Sequence, residues 1–98
     1  MLNTYYEKRT VKVNNMLSNN GNRIANQFEI QTDDGLYFQS YESIIAIKPN
    51  DGSKIILDEY YWNYSRTTGK YRNIFLNESK ADTQKKIDSG EYLLADLN

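Results

Sequence analysis

Between Tyr64 and Asn73 the chain reads Tyr64-Ser65-Arg66-Thr67-Thr68-Gly69-Lys70-Tyr71-Arg72-Asn73, with three cations, three hydroxyls and no acid. Arg, Lys, hydroxyls and backbone N–H groups gathered ahead of a helix can hold a phosphate. The tyrosines that flank them can stack on bases. Just upstream, Tyr60-Tyr61-Trp62 adds aromatic surface. Trp62 is expected in the core, but the tyrosines beside it cannot all face inward in a regular structure. Interfaces use Tyr, Trp and Arg as anchors, and residues 60–72 concentrate all of these types. The candidate binding residues are therefore Tyr60, Tyr61, Tyr64, Arg66, Thr67, Thr68, Lys70, Tyr71 and Arg72.

The same residues also fit an ordinary structured loop. Thr67 or Thr68 would then cap the following helix, Gly69 would permit the turn, and Arg66 or Arg72 would pair with Asp58 or Glu59. The spacing is not that of a P-loop, because Tyr71 follows Gly69-Lys70 where Ser or Thr belongs and the earlier glycine is missing. A second set, Glu29, Asp33, Asp34, Asp58 and Glu59, supplies carboxylates. Two of these sit in a turn, where solvated acids are normal, and no EF-hand spacing links them.

Composition narrows the chemistry further. The 98 residues contain no Cys and no His. That removes thiolate–imidazole and hydroxyl–imidazole catalysis, disulfides, and thiolate or imidazole metal sites. Only an all-oxygen Mg²⁺ or Ca²⁺ site stays chemically open. Catalysis by carboxylate, Lys or Tyr is possible in principle but nothing signals it, so the expectation is a non-enzyme without cofactor or metal. Twelve basic residues against thirteen acidic ones leave a net charge of −1. Such a balance argues against a nucleic-acid coater and against an acidic mimic of DNA. No apolar h-region opens the chain and no run approaches a membrane span, so a cytoplasmic location is expected.

The elements that must position these residues follow from periodicity. A chain of this length suits one domain, residues 1–98, burying roughly 65% of its unfolded surface. Thr10 to Asn14 alternates as a strand, and Ser18-Asn19-Asn20-Gly21-Asn22 is a turn cluster. Ile24 to Thr32 carries Phe28 and Ile30 on one face and Gln27, Glu29 and Gln31 on the other, the pattern of a half-buried antiparallel strand. Asp33-Asp34-Gly35 predicts a hairpin with Gly35 at positive φ. Leu36 to Ser40 returns as a strand, Ser43 to Lys48 is a further one, and Pro49-Asn50-Asp51-Gly52 turns into Lys54 to Leu57. Ser65 to Asn77 reads as a loop entering a short helix, with Tyr71, Ile74 and Phe75 along one stripe. A helix over Ala81 to Ser89 has Ser79 as N-cap, Asp82 three residues on, and Gly90 as its stop. The C-terminal residues Glu91 to Leu97 alternate loosely. The predicted fold is α+β: an antiparallel meander of four to five strands, one or two short helices, and a C-terminal strand.

The runs Tyr37-Phe38-Gln39-Ser40-Tyr41, Ser43-Ile44-Ile45-Ala46 and Tyr61 to Asn73, together with Ser89-Gly90-Glu91-Tyr92 and the ending Asp96-Leu97-Asn98, resemble a family of small uncharacterised proteins. Members occur in phages, plasmids and prophage regions of Gram-positive bacteria. The resemblance covers residues 24–98 and brings no activity and no catalytic residues. It implies a context: small accessory proteins of mobile elements often bind and disable host machinery, CRISPR nucleases included. The leading expectation is thus a protein-binding module, an anti-CRISPR or other anti-defence inhibitor whose partner is a host protein or ribonucleoprotein complex. The alternative is a small nucleic-acid-binding or regulatory protein that contacts phosphates through Arg66, Lys70 and Arg72.

Overall fold

The meander and the helices form, in the predicted order. A computed structural model describes residues 11–98. Its elements are β1 (Lys12–Leu17), β2 (Arg23–Gln31), β3 (Gly35–Ser40), β4 (Ser43–Pro49), β5 (Ile56–Asp58), α1 (Arg66–Leu76), α2 (Lys80–Asp88) and β6 (Leu93–Ala95). All six strands join one sheet in sequence order. Each neighbour from β1 to β5 pairs antiparallel, and β6 then adds parallel to β5. The two helices supply the crossover that a parallel addition requires. This is the α+β architecture expected, with β1 starting at Lys12 and running three residues further than expected, to Leu17; Thr10, placed at its start, lies outside the described residues.

One face of the sheet carries the core. Phe38 stands opposite Ala46, and Ala46 opposite Leu57; all three are fully buried, with Ile45, Phe75, Leu76, Tyr92 and Met16 beside them. A register shift between Phe38 and Gln39 relative to β4 lets the adjacent Ile45 and Ala46 both face inward, as a bulge allows and strict alternation would not. The helix α1 lies on this face, its Phe75 ring stacked on Phe38 at 5.6 Å. Ser40 and Thr68 share a buried hydroxyl–hydroxyl bond of 2.9 Å across the same seam.

Several readings change in the structure. The buried side of β2 is the polar one. Gln27, opposite Ser40, is fully buried, whereas Phe28 and Ile30 lie on the far face. The register through β3 decides this: Phe38 must face Phe75, and it carries Glu29 and Gln27 to its own side. Gly35 is not at positive φ; those glycines are Gly21, Gly52 and Gly90. Glycine is required there because a Cβ would sit 2.3 Å from the Lys48 carbonyl oxygen. The segment after Tyr64 is helical from Arg66, with no entering loop. Ser65 caps it, accepting from the Thr68 N–H at 3.1 Å, in place of Thr67 or Thr68. Its inward stripe is Thr68, Arg72, Phe75 and Leu76, at i, i+4, i+7, i+8, and Ile74 is exposed. Trp62, expected in the core, is only partly buried against it.

The second helix follows its signals. Ser79 Oγ accepts from the Asp82 N–H at 3.2 Å, and Gly90 turns at φ +80. Just ahead of it, the Glu78 carboxylate gathers Lys86 Nζ at 2.7 Å, Thr83 Oγ1 at 2.6 Å and the Tyr92 hydroxyl at 2.9 Å. Burial would raise the Glu78 pKa, but these three donors outweigh it and hold the carboxyl below its ordinary value. Among the described residues no helix is long and apolar enough to cross a membrane.

Candidate functional site

Asp58 organises the turn that carries the tyrosines. Fully buried at the end of β5, it accepts the N–H groups of Tyr60 (3.1 Å) and Tyr61 (2.7 Å) through Oδ2, and that of Leu97 (2.8 Å) through Oδ1. Burial pushes its pKa up, yet the bonds from Leu97, Tyr61, Asn98 and Tyr60 together hold it below the usual carboxylate range. It is therefore a cap for the turn and not an ion-pair partner for Arg66 or Arg72. The tyrosines it positions form an edge-to-face ladder, with Tyr60 to Tyr61 at 4.7 Å and Tyr61 to Tyr64 at 5.1 Å between ring centroids. Tyr60 is 72% exposed and Tyr64 45%, while Tyr61 is half-buried against the core.

The nine sequence candidates thus separate. Tyr60, Tyr64, Arg66, Thr67 and Lys70 are exposed; Tyr61 and Tyr71 are half-buried. Thr68 and Arg72 are buried, which corrects their reading as surface contacts. The Arg72 guanidinium is 1% exposed. It donates from one terminal nitrogen to the Trp62 carbonyl (2.7 Å) and to Asn63 Oδ1 (3.3 Å), and from the other to Asn73 Oδ1 (2.8 Å). It also lies over the Trp62 ring at 5.2 Å. Burial lowers its pKa, partly opposed by the charge of Glu78. Gly69 lies against it: a Cβ there would meet both terminal nitrogens at 3.7 Å, an ordinary contact. Arg72 is a tie between the aromatic turn and α1.

What remains at the surface is a basic concavity of about 670 Å³ at the starts of the two helices, bordered by Tyr64, Arg66, Lys70 and Lys80. Lys80 was not among the sequence candidates. It lies eight residues beyond Arg72, at the start of α2, and only the tertiary arrangement brings it to the same concavity. Tyr64 also borders a second concavity, of about 530 Å³, with Phe28, Gln39, Tyr41 and one charged residue, Glu42. Phe28 and Gln39 belong to the face of the sheet opposite the helices.

That outer face is the feature the sequence reading missed. Val13 stands opposite Ile30, Ile30 opposite Tyr37, Tyr37 opposite Ile47, Ile47 opposite Ile56, and Ile56 beside Leu93. One apolar row therefore crosses every strand, over about 24 Å at ordinary strand spacing. A second row holds Asn15, Phe28, Gln39 and Ile44. No charged side chain stands in either row. None of these residues packs against the core cluster, and Val13 (59%) and Leu93 (46%) are exposed. The sign in the sequence was the run of apolar residues of both parities in β3 and β4, Leu36-Tyr37-Phe38 and Ile44 to Ile47, which needs two apolar faces.

Fold and site together define an α+β domain with helices on one face of its sheet and two uncharged, largely apolar rows on the other. The chain belongs to a family of unknown function, DUF8033, whose model matches residues 11–91. The match takes in β1, which the resemblance over residues 24–98 left out. No curated protein and no solved structure matches the chain.

Proposed function

We propose that this domain is a non-catalytic binding module that docks a partner protein on the outer face of its sheet, with Tyr41 and Tyr64 at the rim. The observation that carries the reading is the uncharged row Val13, Ile30, Tyr37, Ile47, Ile56 and Leu93, set apart from the core. Contiguous apolar patches of this kind mark interaction sites, and depletion of charge characterises the centres of interfaces. The first row runs about 24 Å and the second, over four strands, about 14 Å; at about 7 Å of width each they cover roughly 260 Å², against about 800 Å² per partner in a standard interface. The rim therefore has to join, and the concavity of Phe28, Gln39, Tyr41 and Tyr64 leads directly to the tyrosine ladder. In the setting that the family resemblance implies, a phage or plasmid of a Gram-positive host, the partner is a host defence complex such as a CRISPR effector, and the module acts as its inhibitor in the host cytoplasm.

The test is plasmid survival under CRISPR interference, with the wild type and with Ile47→Lys, a charge in the centre of the row. Protection by the wild type, lost in a variant that melts at the wild-type temperature, is the expected result. Absence of protection against every common CRISPR subtype would sink the anti-CRISPR assignment. The docking face is tested separately with a photo-crosslinking residue at position 47 and, as a control, at Lys85 on the helix face. Host proteins captured equally from both positions would remove the outer face as the docking surface.

A further inference from the structure

The basic concavity calls for a different ligand from the outer face. Arg66 and Lys80 occupy the first turns of α1 and α2, where the helix dipoles already present positive charge. The first turn of α1 contains no acid. Lys70 adds a third exposed cation, and among the described residues no carboxylate borders the concavity. A fourth charge lies in its wall: Arg72, 1% exposed behind Gly69. All its hydrogen-bond partners are neutral oxygens, of Trp62, Asn63 and Asn73, and its Nε has no partner. The described residues contain one ion pair, Lys86 with Glu78, and it uses none of these four cations. Buried charge is stable only where something compensates it; the acid whose charge reaches Arg72, Glu78, is engaged by Lys86, Thr83 and Tyr92 and does not border the concavity. The exposed ring of Tyr64 borders the same concavity, offering a face on which a base can stack.

We propose that the concavity between the starts of α1 and α2 binds the phosphodiester backbone of a single-stranded nucleic acid, with Arg66, Lys70 and Lys80 on the phosphates and a base on Tyr64. Arg72 acts from within the wall, through its charge and by holding the turn in place, and does not touch the strand. A protein partner that itself carries nucleic acid would present both ligands together; the two surfaces meet at Tyr64, and Ile47→Lys and Arg66→Glu, which lie on one each, test them separately.

The experiment is fluorescence anisotropy with a labelled ten-nucleotide oligo-dT at low salt, alongside the matching duplex and inorganic phosphate as a competitor. Three phosphate contacts predict a slope of log affinity against log salt near −2.1, about −0.7 for each on a single strand. Arg66→Glu and Lys70→Glu each weaken binding by about tenfold or more at low salt. Tyr64→Ala weakens it by roughly 5- to 100-fold. Arg66 and Lys70 are exposed, so their variants should melt with the wild type; Tyr64→Ala also loses the edge contact with Tyr61 and is compared at a temperature well below its own melt. Three results would overturn the proposal: no strand binding at low salt, strand binding indifferent to the Arg66→Glu/Lys70→Glu double variant, or binding of inorganic phosphate alone. Tighter binding of a phosphoserine peptide than of oligo-dT would refute the nucleic-acid assignment.

Discussion

Replacing Arg72 by Ala separates structure from surface function within the basic segment. The guanidinium makes two short bonds, 2.7 Å to the Trp62 carbonyl and 2.8 Å to Asn73 Oδ1, and a longer one of 3.3 Å to Asn63 Oδ1. Bonds from a charged donor contribute about 1.5–3 kcal/mol each, and the stack on Trp62 adds on the order of 1 kcal/mol. Against this, the mutant no longer has to bury a charge that lacks a carboxylate partner, which returns part of that sum. The net loss is about 3–5 kcal/mol, a large share of the 5–15 kcal/mol that holds a typical domain together. At about 4–8 °C per kcal/mol the melting temperature falls by at least ~12 °C. Thermal and urea melts followed by circular dichroism measure it, with Arg66→Ala as the exposed control, expected within about 0.5 kcal/mol of wild type. If Arg72→Ala melts like Arg66→Ala, the buried tie described here is wrong. For the same reason a substitution at Arg72 is no probe of nucleic-acid binding, because it changes stability as well.

Other substitutions read other parts of the structure. Gln27 is fully buried and neither atom of its amide has a partner, so Gln27→Met should stabilise by about 1–3 kcal/mol in urea; a loss of stability would mean that the amide is satisfied. The two glycines with close neighbours should respond oppositely. Gly35→Ala drives a Cβ into the Lys48 carbonyl oxygen and costs about 1–3 kcal/mol, whereas Gly69→Ala makes an ordinary contact with Arg72 and gains up to about 1 kcal/mol of helix propensity. Equal melting shifts for the pair would contradict the geometry. Asp58 and Glu78 both have pKa values lowered by folding. Their contribution is therefore fully present above the unfolded carboxylate pKa of about 4 and is lost as pH falls through the folded value. Urea midpoints should fall below pH 4, and Asp58→Asn should flatten that dependence. An unchanged acid limb in Asp58→Asn would show that Asp58 does not contribute to it.

Much of this was legible along the chain, because hairpin turns and caps are local. Pro49-Asn50-Asp51-Gly52 turns where its residues say, and Ser79 with Asp82 starts α2. The tyrosine-rich turn and the run Arg66 to Arg72 were also visible as a cluster of unusual type. Their roles were not. Arg66, Thr68, Lys70 and Arg72 look alike in one dimension, but the angular position of each on α1 sends Thr68 and Arg72 inward and leaves Arg66 and Lys70 at the surface.

Sequence alone determined the excluded chemistry and the order of elements, since both depend on residue type and short-range period. Tertiary structure decided which face of each element is inside. The alternation of β2 says only that two faces differ; the pairing of Phe38 with Phe75, carried through the register, turns Gln27 in and Phe28 and Ile30 out. Repeated over six strands, the same register lines up Val13, Ile30, Tyr37, Ile47, Ile56 and Leu93 from places far apart in the chain. No local signal could assemble that row, because only hydrogen-bonded neighbours in a sheet set which residues stand side by side.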